Sequence, residues 1–227
     1  MGQNEHLGLI GGLGVGATIF YYRGIAAACA ERSIVPRLTI THADAPTALK
    51  LVQAGRIDDL ASYLASLVAD LAASGATFFA IPAITPHICL SALERRVTLP
   101  IVDILQVTAE RLRVRGLSRV ALFGTRFTIE RDLFGALDGF DVVRPHEDEI
   151  EAVHRIYLDL ATSGRIAPVD EAKLRELADT LCRRDRVEAV VLAGTDLNLV
   201  FSEANAGFPA VDCAAAHIDA IVNRMAG

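Results

Sequence analysis

His6-Leu7-Gly8-Leu9-Ile10-Gly11-Gly12-Leu13-Gly14-Val15-Gly16-Ala17 sets out the architectural unit of this chain. An apolar run over His6–Ile10 reads as a strand and is closed by Gly11, Gly12 and Gly14. From Ala17 to Arg32 apolar residues return at helical spacing. The same strand, glycine turn and helix recur at Leu122-Phe123-Gly124-Thr125, with Gly124 standing 113 residues after Gly11. A second echo sets Ile81-Pro82-Ala83-Ile84-Thr85 against Leu192-Ala193-Gly194-Thr195-Asp196, with Gly194 111 residues after Ala83. Further strands are expected at Arg37–His42, Thr77–Ile81, Pro100–Val102, Arg119–Phe123, Ala189–Leu192 and Pro209–Val211. Between them lie amphipathic stretches such as Asp58–Ser74, with Leu60, Leu64, Leu67, Val68 and Leu71 on one stripe and Gly75 as its stop. Further helices are expected through Arg115, at Asp148–Thr162, at Asp170–Arg184 and at the end of the chain. This alternation predicts an α/β fold of parallel sheets with right-handed crossovers, in two similar doubly wound halves related by a pseudo-two-fold. The first half is expected to comprise residues 1–98 with 213–227, the second 99–212. Ligands of such sheets bind outside the carboxyl ends of strands, so the strand-end loops, brought together in a cleft between the halves, are the expected site.

Composition narrows the function classes. The 227 residues are 52% hydrophobic with no Trp, which suits strands buried under helices on both faces. A formal charge of −6 with no basic face argues against nucleic acid as a partner. Cys29, Cys89, Cys182 and Cys213 form no C-x-x-C pair, so they predict buried thiols in a reducing compartment rather than a zinc site or a disulfide framework. No apolar run reaches the ~18 residues needed to span a bilayer, and no membrane partner is expected. The polar start gives no signal peptide, and the myristoylation pattern at Gly2 fails because His6 stands where Ser or Thr is needed. A cytoplasmic location is the expectation.

The strand-end loops hold the chemistry-bearing residues. From Gly12 the first loop spells G-x-G-x-x-A, which admits three readings: a dinucleotide pyrophosphate, a simple anion or carboxylate on backbone N–H groups, or a tight turn. Asp44, the acid a dinucleotide would need, lies two residues past its strand. His42 reads as an acid/base group, as half of an H-x-D metal pair with Asp44, or as a structural histidine; no third ligand is spaced for a metal, and none is expected. Thr85 opens the third loop as a carboxylate holder or a helix cap. Thr125, Arg126 and Thr128 offer two hydroxyls and a guanidinium to an anion, or Arg126 is a solvated surface arginine. Thr195 and Asp196 close the set, Asp196 as a base or polar anchor, or as an N-terminal helix acid. His217 reads as structural, Cys89 as core, and His146-Glu147-Asp148-Glu149 as a solvated helix entrance.

Spaced segments across nearly the whole chain resemble the aspartate/glutamate racemase family: Gly11-Gly12-Leu13, Tyr21-Tyr22-Arg23, Gly124-Thr125-Arg126-Phe127-Thr128, Val153-His154-Arg155-Ile156 with Gly164, and Asp212 with His217. The resemblance implies two similar α/β halves with the site between them, a cofactor-independent reaction and a homodimer. It also implies a departure. Family racemases carry one cysteine in a P-C-N-T loop and another in a G-C-T-E loop, one thiolate removing the α-proton and the other thiol returning a proton to the opposite face. Here Ala83 and Gly194 stand in those places, with Thr85 and Thr195 retained and Asp196 in place of glutamate.

A methyl group and a hydrogen can neither accept nor donate a proton, and each general acid or base typically supplies ~10²–10⁴-fold. Two functions from different classes therefore stand. One is an isomerase or racemase acting on a small amino-acid-like carboxylate, with His42 and Asp196 as substitute acid and base. The other is a non-catalytic binder or sensor of a small carboxylate on the racemase scaffold. A decarboxylase or lyase is weakened because family decarboxylases keep one thiol. Gly12, Thr85, Thr125, Arg126, Thr128 and Thr195 are the expected ligand contacts.

Overall fold

The computed structural model describes residues 5–227; Gly2, on which the myristoylation pattern turned, lies outside them. Two compact units divide the chain, one running up to Ile104 and resuming over His217–Gly227, the other Leu105–Ala216.

In the first unit, β1 (His6–Gly11), α1 (Val15–Glu31), β2 (Arg37–His42), α2 (Ala45–Gln53), α3 (Ile57–Ala73), β3 (Phe78–Ala80) and the short α4 (Leu90–Glu94) follow in order. All three strands are parallel in the order β2-β1-β3. Central β1 is buried throughout, as an apolar strand covered by helices must be, and β2 is the exposed edge. Helix α3 presents Leu60, Ala61, Leu64, Val68 and Leu71 as its buried stripe, the spacing read from the sequence. Ile101 adds a parallel bridge to Phe79, with the Phe79 N–H donating to the Pro100 carbonyl and the Val102 N–H donating to that of Phe79. Those bonds tie residues 100–102 to the first sheet, so the chain divides after Ile104 rather than at residue 98.

The second unit contains α5 (Ile104–Val114), which begins at the division, then β4 (Arg119–Gly124), α6 (Arg126–Glu130), β5 (Asp141–Val142), α7 (Glu147–Ser163), α8 (Pro168–Arg184), β6 (Ala189–Ala193) and β7 (Ala210–Asp212). Helix α9 (Cys213–Ala226) starts there and returns the chain to the first unit. The four strands are parallel in the order β5-β4-β6-β7. In each unit the strand that opens it, β1 or β4, is central, and the echo seen in sequence becomes an echo of topology. Pro100-Ile101-Val102-Asp103 and Pro209-Ala210-Val211-Asp212 repeat the same ending beside β3 and β6, and both aspartates are buried. The Asp212 carboxylate accepts the Ala214 and Ala215 N–H groups at 2.9 and 3.1 Å, closing the otherwise unsatisfied start of α9. The expected solvated entrance at 146–149 is a capping box, in which the His146 N–H donates to the Glu149 carboxylate at 2.7 Å.

Candidate functional site at the strand ends

In the first unit the strand ends carry Gly12, His42, Ala83 and Thr85. Gly12 has a φ of +86°, a left-handed conformation that favours glycine, and a Cβ there would lie 2.5 Å from the Ala43 carbonyl and 2.8 Å from Cε1 of His42. The exposed His42 ring therefore lies directly over Gly12. The Gly12 N–H is already engaged, donating to the Thr18 hydroxyl at 3.0 Å, and that hydroxyl donates in turn to the Gly14 carbonyl at 2.8 Å. Gly12 is thus bonded within its own loop rather than held open for an anion, which favours the tight-turn reading. Asp44 caps α2, its carboxylate accepting the Thr47 N–H at 3.1 Å. Asp44→Ala is expected to cost about 1 kcal/mol of stability, measured by urea unfolding, a typical N-cap loss. Thr85 begins a short 3-10 turn, Thr85–Cys89, behind Ala83.

Beneath that turn lie two buried histidines, His87 and His217. His87, fully buried, bonds the Ala83 carbonyl through Nδ1 at 2.9 Å and sets Nε2 3.7 Å from the Asp103 carboxylate. Because a carbonyl only accepts, Nδ1 carries the proton. Burial holds the His87 pKa below the ordinary imidazole value, against the opposing pull of Asp103. His217 is buried with both ring nitrogens engaged: Nε2 donates to the Val102 carbonyl at 2.8 Å, and Nδ1 lies 2.9 Å from the Tyr21 hydroxyl. Burial depresses its pKa to about 3, with the Val102 bond opposing. Both are neutral structural histidines at pH 7, in keeping with the reading of His217.

In the second unit, Thr125 caps α6, its hydroxyl accepting the Thr128 N–H at 3.2 Å and lying 2.9 Å from the Thr128 hydroxyl. The two hydroxyls expected to hold an anion thus hold each other. Arg126 faces a carboxylate set: Glu130 at 3.0 Å, Glu147 at 2.6 Å and Glu151 at 2.6 Å. Those bonds, Glu151 foremost, push its pKa further above the usual guanidinium value. The guanidinium thus already holds three carboxylates of its own unit. Its backbone N–H donates to Nδ1 of half-buried His154 at 3.2 Å, which a neutral imidazole can accept, and burial lowers the His154 pKa accordingly.

The most informative pair joins α7 to the end of β6. Gly194 is extended at φ −140°, a conformation any residue adopts, so the backbone does not require glycine. Tyr157 requires it: a methyl group built on Gly194 would lie 2.8 Å from Cδ2 and Cζ of the phenol ring and closer still to Cε2. The ring occupies the space into which a side chain at 194 would project. Its hydroxyl lies 3.5 Å from the buried Asp196 carboxylate and is further bonded by Thr195 and by the Asp196 backbone. Burial, and then the Asp196 charge, push the phenol's pKa up, so it remains protonated. Tyr157 stands one residue beyond the Val153–Ile156 segment singled out in the sequence. An inward aromatic on an amphipathic helix gives no signal that separates it from ordinary core.

Of the four free cysteines, Cys29, Cys89 and Cys213 are buried and Cys182 is half-buried. The Cys89 thiol turns back on the Pro86 carbonyl at 3.2 Å, and burial raises its pKa to about 11; burial raises that of Cys213 to about 12. The pKa values of Cys29 and Cys182 are raised as well, again chiefly by burial. Among the described residues no group of three or more His, Cys, Asp or Glu side chains gathers as a metal site, and no helix is long and apolar enough to cross a membrane.

Parallel strands whose carboxyl-end loops carry the threonines, a buried aspartate and the glycine turns define a strand-end α/β protein. The chain belongs to the Asp/Glu/Hydantoin racemase family, whose profile matches residues 10–221. Similar solved structures include a candidate Asp/Glu racemase from Yersinia pestis, 24% identical over 98% of this chain and 100% of the other, with a TM-score of 0.84. An aspartate racemase homologue from Pyrococcus horikoshii is also 24% identical, over 98% and 100%, with a TM-score of 0.81. The Picrophilus torridus aspartate racemase is 20% identical over 98% and 94%, at 0.76. Likeness at these identities establishes the shared fold, and the reaction must be argued from this chain's own residues.

Proposed function

We propose that this protein binds a small amino-acid-like carboxylate at its strand-end loops and does not carry out two-thiol racemisation there. The observation behind the second clause is the pairing of Gly194 with Tyr157, which fills one thiol's place with a phenol ring while Ala83 leaves the other without an ionisable group. Racemisation by proton exchange needs an acceptor on one face of the carbon and a donor on the other. The thiols that remain, buried at Cys29, Cys89 and Cys213 and half-buried at Cys182, have raised pKa values and are protonated at neutral pH, which makes them poor proton acceptors. Support for the ligand comes from family membership and from the retained polar turn Thr195–Asp196.

The binding reading is tested by thermal unfolding in the presence of aspartate, glutamate and a panel of small dicarboxylates. A ligand at 100 times its Kd stabilises by about 2.7 kcal/mol, a readily measured rise in Tm. The expected outcome is a saturable rise for at least one of them; no rise across the panel at millimolar concentrations ends the reading. One observation favours isomerisation as a second reading: the Asp196 carboxylate is buried 3.5 Å from the hydroxyl of a phenol that stays protonated. Loss of the α-proton signal in D₂O, abolished by Asp196→Asn, would favour this second reading over binding alone.

A further inference from the structure

Three features of the second unit converge on Tyr157. Its ring takes the space of a side chain at 194, its hydroxyl is tied to Thr195 and Asp196, and it comes from α7, an element otherwise separate in sequence from the β6 turn. We infer that Tyr157 is the positioning residue of the strand-end loop after β6, fixing the Gly194-Thr195-Asp196 turn so that it meets an amino-acid-like carboxylate ligand. The inference rests on the binding reading proposed above and goes beyond it by assigning the residue that sets the turn's geometry.

The argument is geometric. A turn that ends a strand in a short 3-10 segment, Thr195–Leu199, is held by few backbone bonds of its own, among them the Leu197 N–H donating to the Gly194 carbonyl at 2.9 Å. With no side chain at 194 to pack, the turn is seated from beneath by the phenol ring, while the hydroxyl engages both the Thr195 side chain and the Asp196 backbone. Orientation of ligand-binding groups depends on such supporting contacts, and a site that loses them is held too loosely to bind well. Ring and hydroxyl are separable: Tyr157→Phe keeps the first and removes the second.

The experiment measures aspartate and glutamate affinity by calorimetry for the wild-type chain, Tyr157→Phe and Tyr157→Ala, with each Tm recorded without ligand. The chain has no Trp and only four Tyr, so the near-ultraviolet tyrosine difference spectrum on ligand addition is a second readout. Expected are a roughly tenfold weaker affinity in Tyr157→Phe, a larger loss in Tyr157→Ala, and disappearance of the wild-type difference signal in both. Equal affinity and an unchanged difference spectrum in Tyr157→Phe overturn the assignment while leaving the binding reading intact. Absence of any wild-type response overturns the binding reading itself, and the assignment with it.

Discussion

Gly194→Ala is expected to lower stability by about 2–3 kcal/mol, a large effect for a single methyl group on an extended backbone. Overpacking a well-packed site costs about 1–3 kcal/mol, and here the obstacle is a buried ring rather than the far end of a flexible side chain. The φ of −140° removes the usual explanation for glycine, so the whole penalty must come from Tyr157. A double-mutant cycle isolates it: Tyr157→Ala alone should cost about 3–5 kcal/mol through the cavity left behind, but Gly194→Ala in that background should add almost nothing. Urea unfolding of the four proteins reads the cycle. Additive costs would show that the ring is not the reason for the glycine. The same argument predicts that restoring a cysteine at 194 alone gives a strained chain rather than a working thiol, so the departure from the family pattern involves at least two positions.

Acidification supplies the second large effect. His217 in the folded protein has its pKa depressed to about 3 by burial, and His87 is shifted in the same direction. In the unfolded chain both return to about 6.5. Above that value neither state binds the proton and stability does not depend on these groups. As pH falls below about 6.5 the unfolded chain takes up protons that the folded chain refuses, and stability falls until the folded pKa is reached. His217 contributes up to about 1.4 kcal/mol per pH unit, a loss of about 2–3 kcal/mol between pH 6.5 and 4.5, and His87 adds to it in the same direction. Below about pH 4.5, carboxylates held ionised by partners, such as Glu149 beside Arg184, add to the loss in the same direction. Urea midpoints should be flat from pH 8 to 7 and then decline steadily; midpoints unchanged down to pH 5 would show that the two histidines accept protons in the folded state.

The fold was legible because each central strand is an apolar run closed by glycine or proline, and each long helix carries an uninterrupted apolar stripe. The two-residue strand Asp141–Val142 was not, since so short a segment has no period. Helix α2 escaped notice because its capping residue, Asp44, was weighed as a chemical group rather than as a helix start. The site was legible only in outline. Thr125 and Thr128 have the right type and spacing to hold an anion, but the same spacing makes a helix cap. Arg126 read as a free cation because Glu147 and Glu151 stand 21 and 25 residues away, and only the folded chain brings them to it. Tyr157 and Gly194 are 37 residues apart in the chain, and no local pattern ties the ring to the missing side chain.

The most direct measurement is proton NMR of the ligand's α-carbon in D₂O, with the protein untreated and after its thiols have been exhaustively alkylated. The account predicts the same α-proton signal in both samples, because no sulfur takes part. Rapid α-deuteration by untreated protein, lost on alkylation, would contradict it and return the chain to thiol racemisation.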